Sequence, residues 1–297
     1  MPVIHFIDVT NRDAAQASRI SLAKLQKTLI NKYLGELGIY QSEFSFPFTR
    51  HEVNYIKANL ELRDMGAFGN LILEGWCRAL VSDVAKSWPS GVKHLNLSAS
   101  VSDQMIRNKY HGRLDRKKII QEMVEAVAFA RSQGIETIGV NGEDASRADI
   151  GYLVEFCGRA KEAGADRFRY CDTLGYDSPM SIYQRVRSLA EQVKMPIEPH
   201  CHNDLGMGVA DSVAGAMGAV DGGVDAYINT SVNGLGERAG QADLLGCLLA
   251  LKFAQGLEKY TIGDNIDLKV AYKLAKYTSY AFGVPIPINQ PGVGANA

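Results

Sequence analysis

The chain has 297 residues, enough for one large domain or two small ones, and its 46% hydrophobic and 22% charged residues are ordinary for a globular enzyme or binding protein. Lys plus Arg number 32 against 33 Asp plus Glu, so no basic excess points to nucleic acid or an anionic membrane and no acidic tail points to disorder. No apolar run is long enough to span a bilayer, the first residues lack the layout of a signal peptide, and five scattered cysteines without a CxxC pair favour a reducing cytoplasm.

Short β-branched or aromatic runs predict strands at Ile4–Val9, Tyr40–Phe46, Leu71–Cys77, His94–Ser100, Glu136–Asn141, Arg167–Asp172, Pro196–His202 and Ala226–Val232. Between most of them lie stretches with helical apolar spacing, such as Lys117–Arg131 and Ile150–Ala163. Eight parallel βα units follow. An open doubly wound sheet would usually carry a Gly-rich turn after its first strand, whereas Asp8-Val-Thr-Asn-Arg-Asp13 has no glycine. The predicted fold is therefore α/β, a (β/α)8 TIM barrel over residues 1–262. One further helical segment, Leu268–Ala281, and a turn-rich tail make residues 263–297 a short helical C-terminal extension.

Barrel chemistry collects where strands end. Strand 1 ends at Asp8 and leads to Arg12 and Asp13; strands 2 and 3 carry Glu43 and Glu74. Strand 4 runs through Asn96, Ser98 and Ser100, strand 5 leads into Glu143-Asp144, and strand 6 into Asp172-Thr173. Strand 7 delivers Glu198-Pro-His200-Cys-His202, and strand 8 leads to Asn233 and the Gly-rich GLGERAG turn. Such convergence of ionisable groups on one rim favours a polar active site.

The His200-x-His202 pair is the sharpest feature. Strand side chains alternate, so Glu198, His200 and His202 share one face and Cys201 points away. Two imidazoles with Asp8 arriving from strand 1 suit a divalent metal, where Asp/His ligands accept Mg, Mn, Fe, Co or Zn. Hydrogen-bonded structural histidines are the plainer alternative. His5, His51 and His94 read as structural, while His111 lies in the loop after strand 4 and is retained as a lumen-facing candidate. The Gly-rich turn lacks the GK[ST] ending of a P-loop but feeds a helix, which makes it a candidate anion site.

Asp8-Val-Thr-Asn-Arg12-Asp13-Ala-Ala-Gln16 resembles the D-x-T-x-R-D-G-x-Q signature of the DRE-TIM metallolyases, a family with a pyruvate carboxyltransferase-like barrel. Gly142-Glu143-Asp144, Asp172-Thr173-Leu-Gly175, Glu198-Pro-His-Cys-His-Asn-Asp-Leu-Gly206 and Asn233-Gly-Leu-Gly-Glu-Arg-Ala-Gly240 match further family segments in order. The resemblance spans essentially the whole chain, and GxGERxG is similar to the acetyl-CoA-dependent synthase branch. It departs from the pattern at Ala14 and Ala15, and at Gln241, where the family often has an Asn ligand.

The resemblance implies Asp8, His200 and His202 as metal ligands with Gln241 beside them. It implies a Claisen condensation of acetyl-CoA with a 2-oxo acid and hydrolysis of the thioester. Arg12 would stabilise the developing alkoxide, Glu143 would transfer the proton, and Thr173 would hold the substrate carboxylate, with Glu198 and His111 as further substrate contacts. Glu143 could instead be tied in an ion pair with Arg147 or Arg12.

Ser102-Asp-Gln-Met-Ile-Arg107-Asn-Lys-Tyr-His111-Gly is similar to the segment of homocitrate synthases whose Arg holds the distal carboxylate of the 2-oxo acid. A dicarboxylic 2-oxo acid is therefore expected, with a homocitrate synthase-like reaction first. Re-type citrate synthase comes close behind, ahead of isopropylmalate, citramalate or phosphonomethylmalate synthesis. Against 2-oxoglutarate, Gly139 stands where some homocitrate synthases carry an extra Arg. A retro-Claisen lyase or aldolase, or a barrel that binds with little turnover, are the alternatives of other classes. Asn289-Gln-Pro-Gly-Val-Gly-Ala-Asn-Ala297 resembles the stretch that leads into the synthases' lid, so residues 263–297 are expected to begin the lid connector. A homodimer is expected from the family.

Overall fold

A computed structural model describes residues 1–297. Eight parallel strands close into a barrel in sequence order: β1 (Ile4–Asp8), β2 (Gln41–Ser45), β3 (Ile72–Arg78), β4 (His94–Ser100), β5 (Thr137–Glu143), β6 (Arg167–Asp172), β7 (Ile197–Cys201) and β8 (Ala226–Thr230). β8 pairs with β1 from Ile4↔Ala226 to Asp8↔Thr230, which completes the ring. Every predicted strand forms within a few residues of its expected bounds. β5 runs on to Glu143, so the candidate base stands at the strand's own end rather than in a following loop.

Helices α1 (Lys24–Leu37), α2 (Arg50–Asp64) and α3 (Val81–Ser87) follow the first three strands. A short α4 (Asp103–Lys109) in the loop after β4 precedes the long α5 (Arg116–Ser132). Then come α6 (Ile150–Ala163), α7 (Pro179–Val193), α8 (Gly208–Asp221) and α9 (Leu244–Phe253), and α10 (Ala271–Phe282) lies in the predicted extension. Capping residues start several of them: Thr49, Asp115, Asp149 and Ser178 each accept a backbone N–H of the first turn. No helix is long and apolar enough to cross a membrane.

Alternation along each strand separates two environments. On β1, Ile4 and Phe6 join the apolar layer under the helices, while His5 stacks on Tyr227 inside the barrel. On β6, Phe168 packs on Phe156 outside, whereas Arg167 and Arg169 point into the lumen. The lumen is charged rather than greasy. Arg169 reaches Glu43 at 2.5 Å, Glu198 at 2.7 Å and Glu74 at 3.4 Å, and Arg167 reaches Glu198 at 2.6 Å and Glu74 at 3.1 Å. Burial without partners would be prohibitive for these groups, so the network forms as a unit. Burial pushes the Glu74 carboxyl up, whereas Arg169 and Arg167 outweigh burial at Glu198 and hold it down. Gly139 leaves the room this packing needs: a Cβ there would stand 2.4 Å from Asn96 Nδ2.

Candidate active site

The loop after β1 folds back at once, because the N–H groups of Arg12 and Asp13 both donate to the Val9 carbonyl, at 3.2 and 2.8 Å. This tight turn drops Arg12 and Asp13 over the barrel mouth, where they line a cavity of about 730 Å³. His200 and His202 line the same cavity, with their Nε2 atoms 3.4 Å apart. Asp13 Oδ2 lies 3.2 Å from His200 Nε2, and the three side chains form the chain's one compact cluster of candidate metal ligands.

The carboxylate of that cluster is Asp13, which corrects the expectation of Asp8. Alternation explains the difference: Asp8 follows Ile4 and Phe6 on the outward face of β1. Its carboxylate accepts the Thr10 N–H at 3.0 Å and the Thr10 hydroxyl at 2.9 Å instead. Burial pushes the Asp8 carboxyl up to about 7, against the pull of those Thr10 bonds. Burial alone would raise Asp13 too, but Arg12 and the two histidines hold it well below the usual carboxylate range.

The donor set fits a divalent ion. Burial and the neighbouring His200 push the His202 ring down to about 4, so it is neutral near pH 7 and keeps a lone pair. His200 Nδ1 faces Asn229 Oδ1 at 3.3 Å, which makes Nδ1 the donor and leaves Nε2 free as a ligand atom. Gln241 Nε2 donates to Asp13 Oδ2 at 2.9 Å, and Gln241 Oε1 is buried with no partner. A half-turn of that amide exchanges the two atoms, so the residue can present oxygen or nitrogen to the cluster. Gln241 thus lies beside the Asp13–His200–His202 cluster.

Arg12 is held from both sides. Its Nε donates to Glu43 at 2.5 Å, its Nη1 stands 3.1 Å from Asp13, and its guanidinium lies 5.0 Å over the Trp76 ring. Burial disfavours the charge, but Asp13 and Glu43 more than restore it. The strand pattern flagged Glu43 as a rim group without giving it a role; its contact with Arg12 supplies one.

Glu143 lines the wall between β4 and β5, where it accepts a 2.5 Å bond from Ser100 Oγ and an ion pair from Lys109. Neither Arg147 nor Arg12 pairs with it, since Arg147 is taken by Asp144 at 2.6 Å. Thr173 lines the cavity and accepts the Asp144 N–H at 2.9 Å, which leaves its own proton free to donate.

Three other expectations change. Glu198 shares the face of the histidines but lies deeper, its oxygens taken by Arg167 and Arg169, so it does not reach the cavity. Arg107 is exposed and does not line the cavity. Ile106 is the buried residue of α4, and Lys109 and Tyr110, three and four residues on, share its face, whereas Arg107 is turned to solvent. His111 is also exposed and outside the cavity, in a loop residue with φ of 51°. The cations on this wall are instead Lys109, Arg113 and, from the end of β3, Arg78.

The Gly-rich turn is not an open anion site. The start of α9 is capped by Asp243, which accepts the Gly246 N–H at 2.8 Å, and Arg238 is bound to Asp204 at 2.8 Å. Asn233 spends its amide on the Ala275 carbonyl of α10, at 3.0 Å. The turn is a structural joint that delivers Gln241 and moors the C-terminal helix.

A closed parallel barrel with an Asp–His–His cluster and a buried Arg at its mouth defines a TIM-barrel enzyme with a candidate metal site. The chain belongs to the HMGL-like family, whose profile matches residues 3–277. It is 58% identical over 300 residues to a citrate (Re)-synthase of Dehalococcoides mccartyi, covering all of this chain and 72% of that protein. It is 33% identical to homocitrate synthase 1 of a Nostoc species, over 97% of this chain and 72% of that protein. Among solved structures, a hydroxymethylglutaryl-CoA lyase from Pseudomonas aeruginosa superposes with a TM-score of 0.76 at 16% identity, covering 96% of this chain and 95% of the other. That likeness concerns the fold.

Proposed function

We propose that this barrel carries out the reaction of a Re-type citrate synthase, condensing acetyl-CoA with oxaloacetate to give citrate and CoA. The observation that carries the reading is the Asp13–His200–His202 cluster beside Arg12 on the floor of a cavity whose wall holds Lys109, Arg113 and Arg78. A cationic wall suits an acceptor with a second carboxylate and disfavours the branched apolar side chain of an isopropylmalate precursor. Between the dicarboxylic acceptors, 58% identity to a citrate (Re)-synthase against 33% to a homocitrate synthase reverses the order expected from the Arg107 segment. Gly139 agrees, because a long side chain there would strike Asn96.

A divalent ion held by Asp13, His200 and His202, with Gln241 beside them, would supply a Lewis acid and a chelating point for the 2-oxo acid. The chain's own groups do the rest. Thr173 donates its free hydroxyl proton to the substrate's 1-carboxylate. Glu143 takes a proton from the acetyl methyl, and the carbon so freed bonds to the keto carbon of oxaloacetate. Arg12, fixed by Glu43, faces the keto oxygen as negative charge develops there. Protonation of that oxygen gives the hydroxyl, and water then cleaves the thioester to release CoA.

The test is CoA release by the metal-loaded protein with acetyl-CoA and, in turn, oxaloacetate, 2-oxoglutarate, 2-oxoisovalerate and pyruvate. Oxaloacetate is expected to give the highest kcat/KM. Turnover confined to 2-oxoisovalerate or pyruvate would sink the reading.

A further inference from the structure

The candidate base is not free. Glu143 is paired with Lys109, and Ser100 Oγ bonds to both, at 2.5 Å to Glu143 Oε2 and 3.3 Å to Lys109 Nζ. Of the cavity's other cations, Arg78 is bound to Asp83 at 2.7 Å, Arg12 to Glu43 and Asp13, and Arg169 to three glutamates. Arg113 spends its Nε on the Tyr110 carbonyl at 3.3 Å. Lys109 is therefore the wall cation whose one carboxylate partner is the proton acceptor of the proposed reaction. Its side chain is about half exposed, 47%, and stands at the end of the short helix α4, so it can swing on its four-carbon stem.

We propose that Lys109 is an exchangeable latch on Glu143, which the distal carboxylate of a dicarboxylic 2-oxo acid opens by taking the ammonium for itself. This rests on the citrate synthase-like reading and adds a selectivity step to it. While the acceptor is absent, the ammonium and the Ser100 hydroxyl both sit on Glu143 Oε2, and the positive charge there offsets the carboxylate charge that must draw a methyl proton to Oε1. An acceptor that presents a second carboxylate to the wall gives Lys109 a partner of equal charge. Glu143 then keeps only its Ser100 bond, and its negative charge, no longer offset by the ammonium, serves the acetyl methyl through Oε1. An acid without that carboxylate occupies the floor but leaves the latch shut. Selectivity thus comes from arming the base as well as from contact with the substrate, and acetyl-CoA is protected until the right acceptor is seated. Charged pairs of this kind are worth enough to change a rate about tenfold or more.

The experiment follows hydrogen–deuterium exchange at the methyl of acetyl-CoA in D2O, with metal-loaded protein and unreactive hydroxy acids in place of the acceptor. Malate carries the distal carboxylate and lactate lacks it. In the wild-type protein malate is expected to speed exchange by about tenfold and lactate by less than about twofold. In Lys109→Met the two acids should act alike, with exchange already fast when neither is present, while Lys109→Arg keeps a preference for malate. Equal stimulation by malate and lactate in the wild type, or a malate preference that survives in Lys109→Met, overturns the latch. Exchange absent with either acid, in protein that condenses oxaloacetate, overturns it as well. A wild-type protein that binds no malate by calorimetry and releases no CoA with oxaloacetate fails at the proposed function instead.

Discussion

Glu43, buried on β2, accepts a 2.5 Å hydrogen bond from Arg12 Nε, and its second oxygen is held by Arg169. The guanidinium proposed to face the reacting oxygen is thereby tied to the charged floor of the barrel rather than left on a loop. Glu43→Gln should lower kcat by about tenfold to a hundredfold with a smaller change in KM, because it loosens Arg12 without removing it. Arg12→Lys should cost more, since an ammonium cannot hold Glu43 and Asp13 together in one plane. Steady-state kinetics on both variants, at a temperature well below the melting midpoint of each, decides the matter.

Metal affinity separates the two aspartates at the start of the chain. Asp13→Asn and His202→Asn should weaken binding of a divalent ion by more than the ~10–100-fold that outer partners of a metal site carry. Asp8→Asn should leave it within about threefold, since Asp8 serves Thr10. Calorimetric titration with Mn or Co reads this without any turnover, and a large loss in Asp8→Asn would reinstate Asp8 as a ligand.

Asp8 also predicts a pH dependence of stability. Its carboxyl is raised from 3.8 to about 7 in the folded protein, so between those values the native chain holds a proton that the unfolded chain has released. Its contribution to stability is present below the unfolded value and is lost as pH rises through the folded one. Asp8→Asn removes the dependence, and the Thr10 hydroxyl can turn to accept from the new amide. The variant should melt higher than the wild type near about pH 8, and the gap should close near about pH 4. A gap that widens on acidification would reverse the sign.

Arg169→Met should be severely destabilising. It removes one buried cation that serves Glu43, Glu74 and Glu198, and breaking such a network from one side costs about 3–5 kcal/mol. Urea unfolding measures the loss. Arg107→Ala should change neither stability nor kcat/KM by more than about twofold, as expected of an exposed residue away from the cavity.

The strand order and the shared face of His200 and His202 were legible because they rest on local periodicity, whereas Gln241 is singled out only by its place after the Gly-rich turn. His200 and His202 face one way by parity alone, and the same parity, applied to Ile4, Phe6 and Asp8, would have turned Asp8 outward. What favoured Asp8 was its place at a strand end, but direction matters as much as position. Arg107 failed for the helical counterpart of that reason. Its loop contains a helix with Ile106 as the buried anchor, and only the anchor's identity tells which neighbours face the cavity. The Glu198 contacts and the Lys109–Glu143 pair come from strands and helices far apart in sequence, and no local pattern announces them.

Below the Asp13–His200–His202 cluster the lumen is crossed by Arg167, Arg169 and their glutamates, and Arg167 in turn lies over Tyr227, which stacks on His5. These stacked side chains stand between the cavity at the barrel mouth and the far end of the barrel. In the proposed reaction, a small acid seated on the floor would be enclosed once a bulky thioester settled above it, and would be held until the thioester or its remnant had gone. For that reaction the shape of the vessel would set the order of arrival and departure: the acid in first, and CoA out before the acid built beneath it.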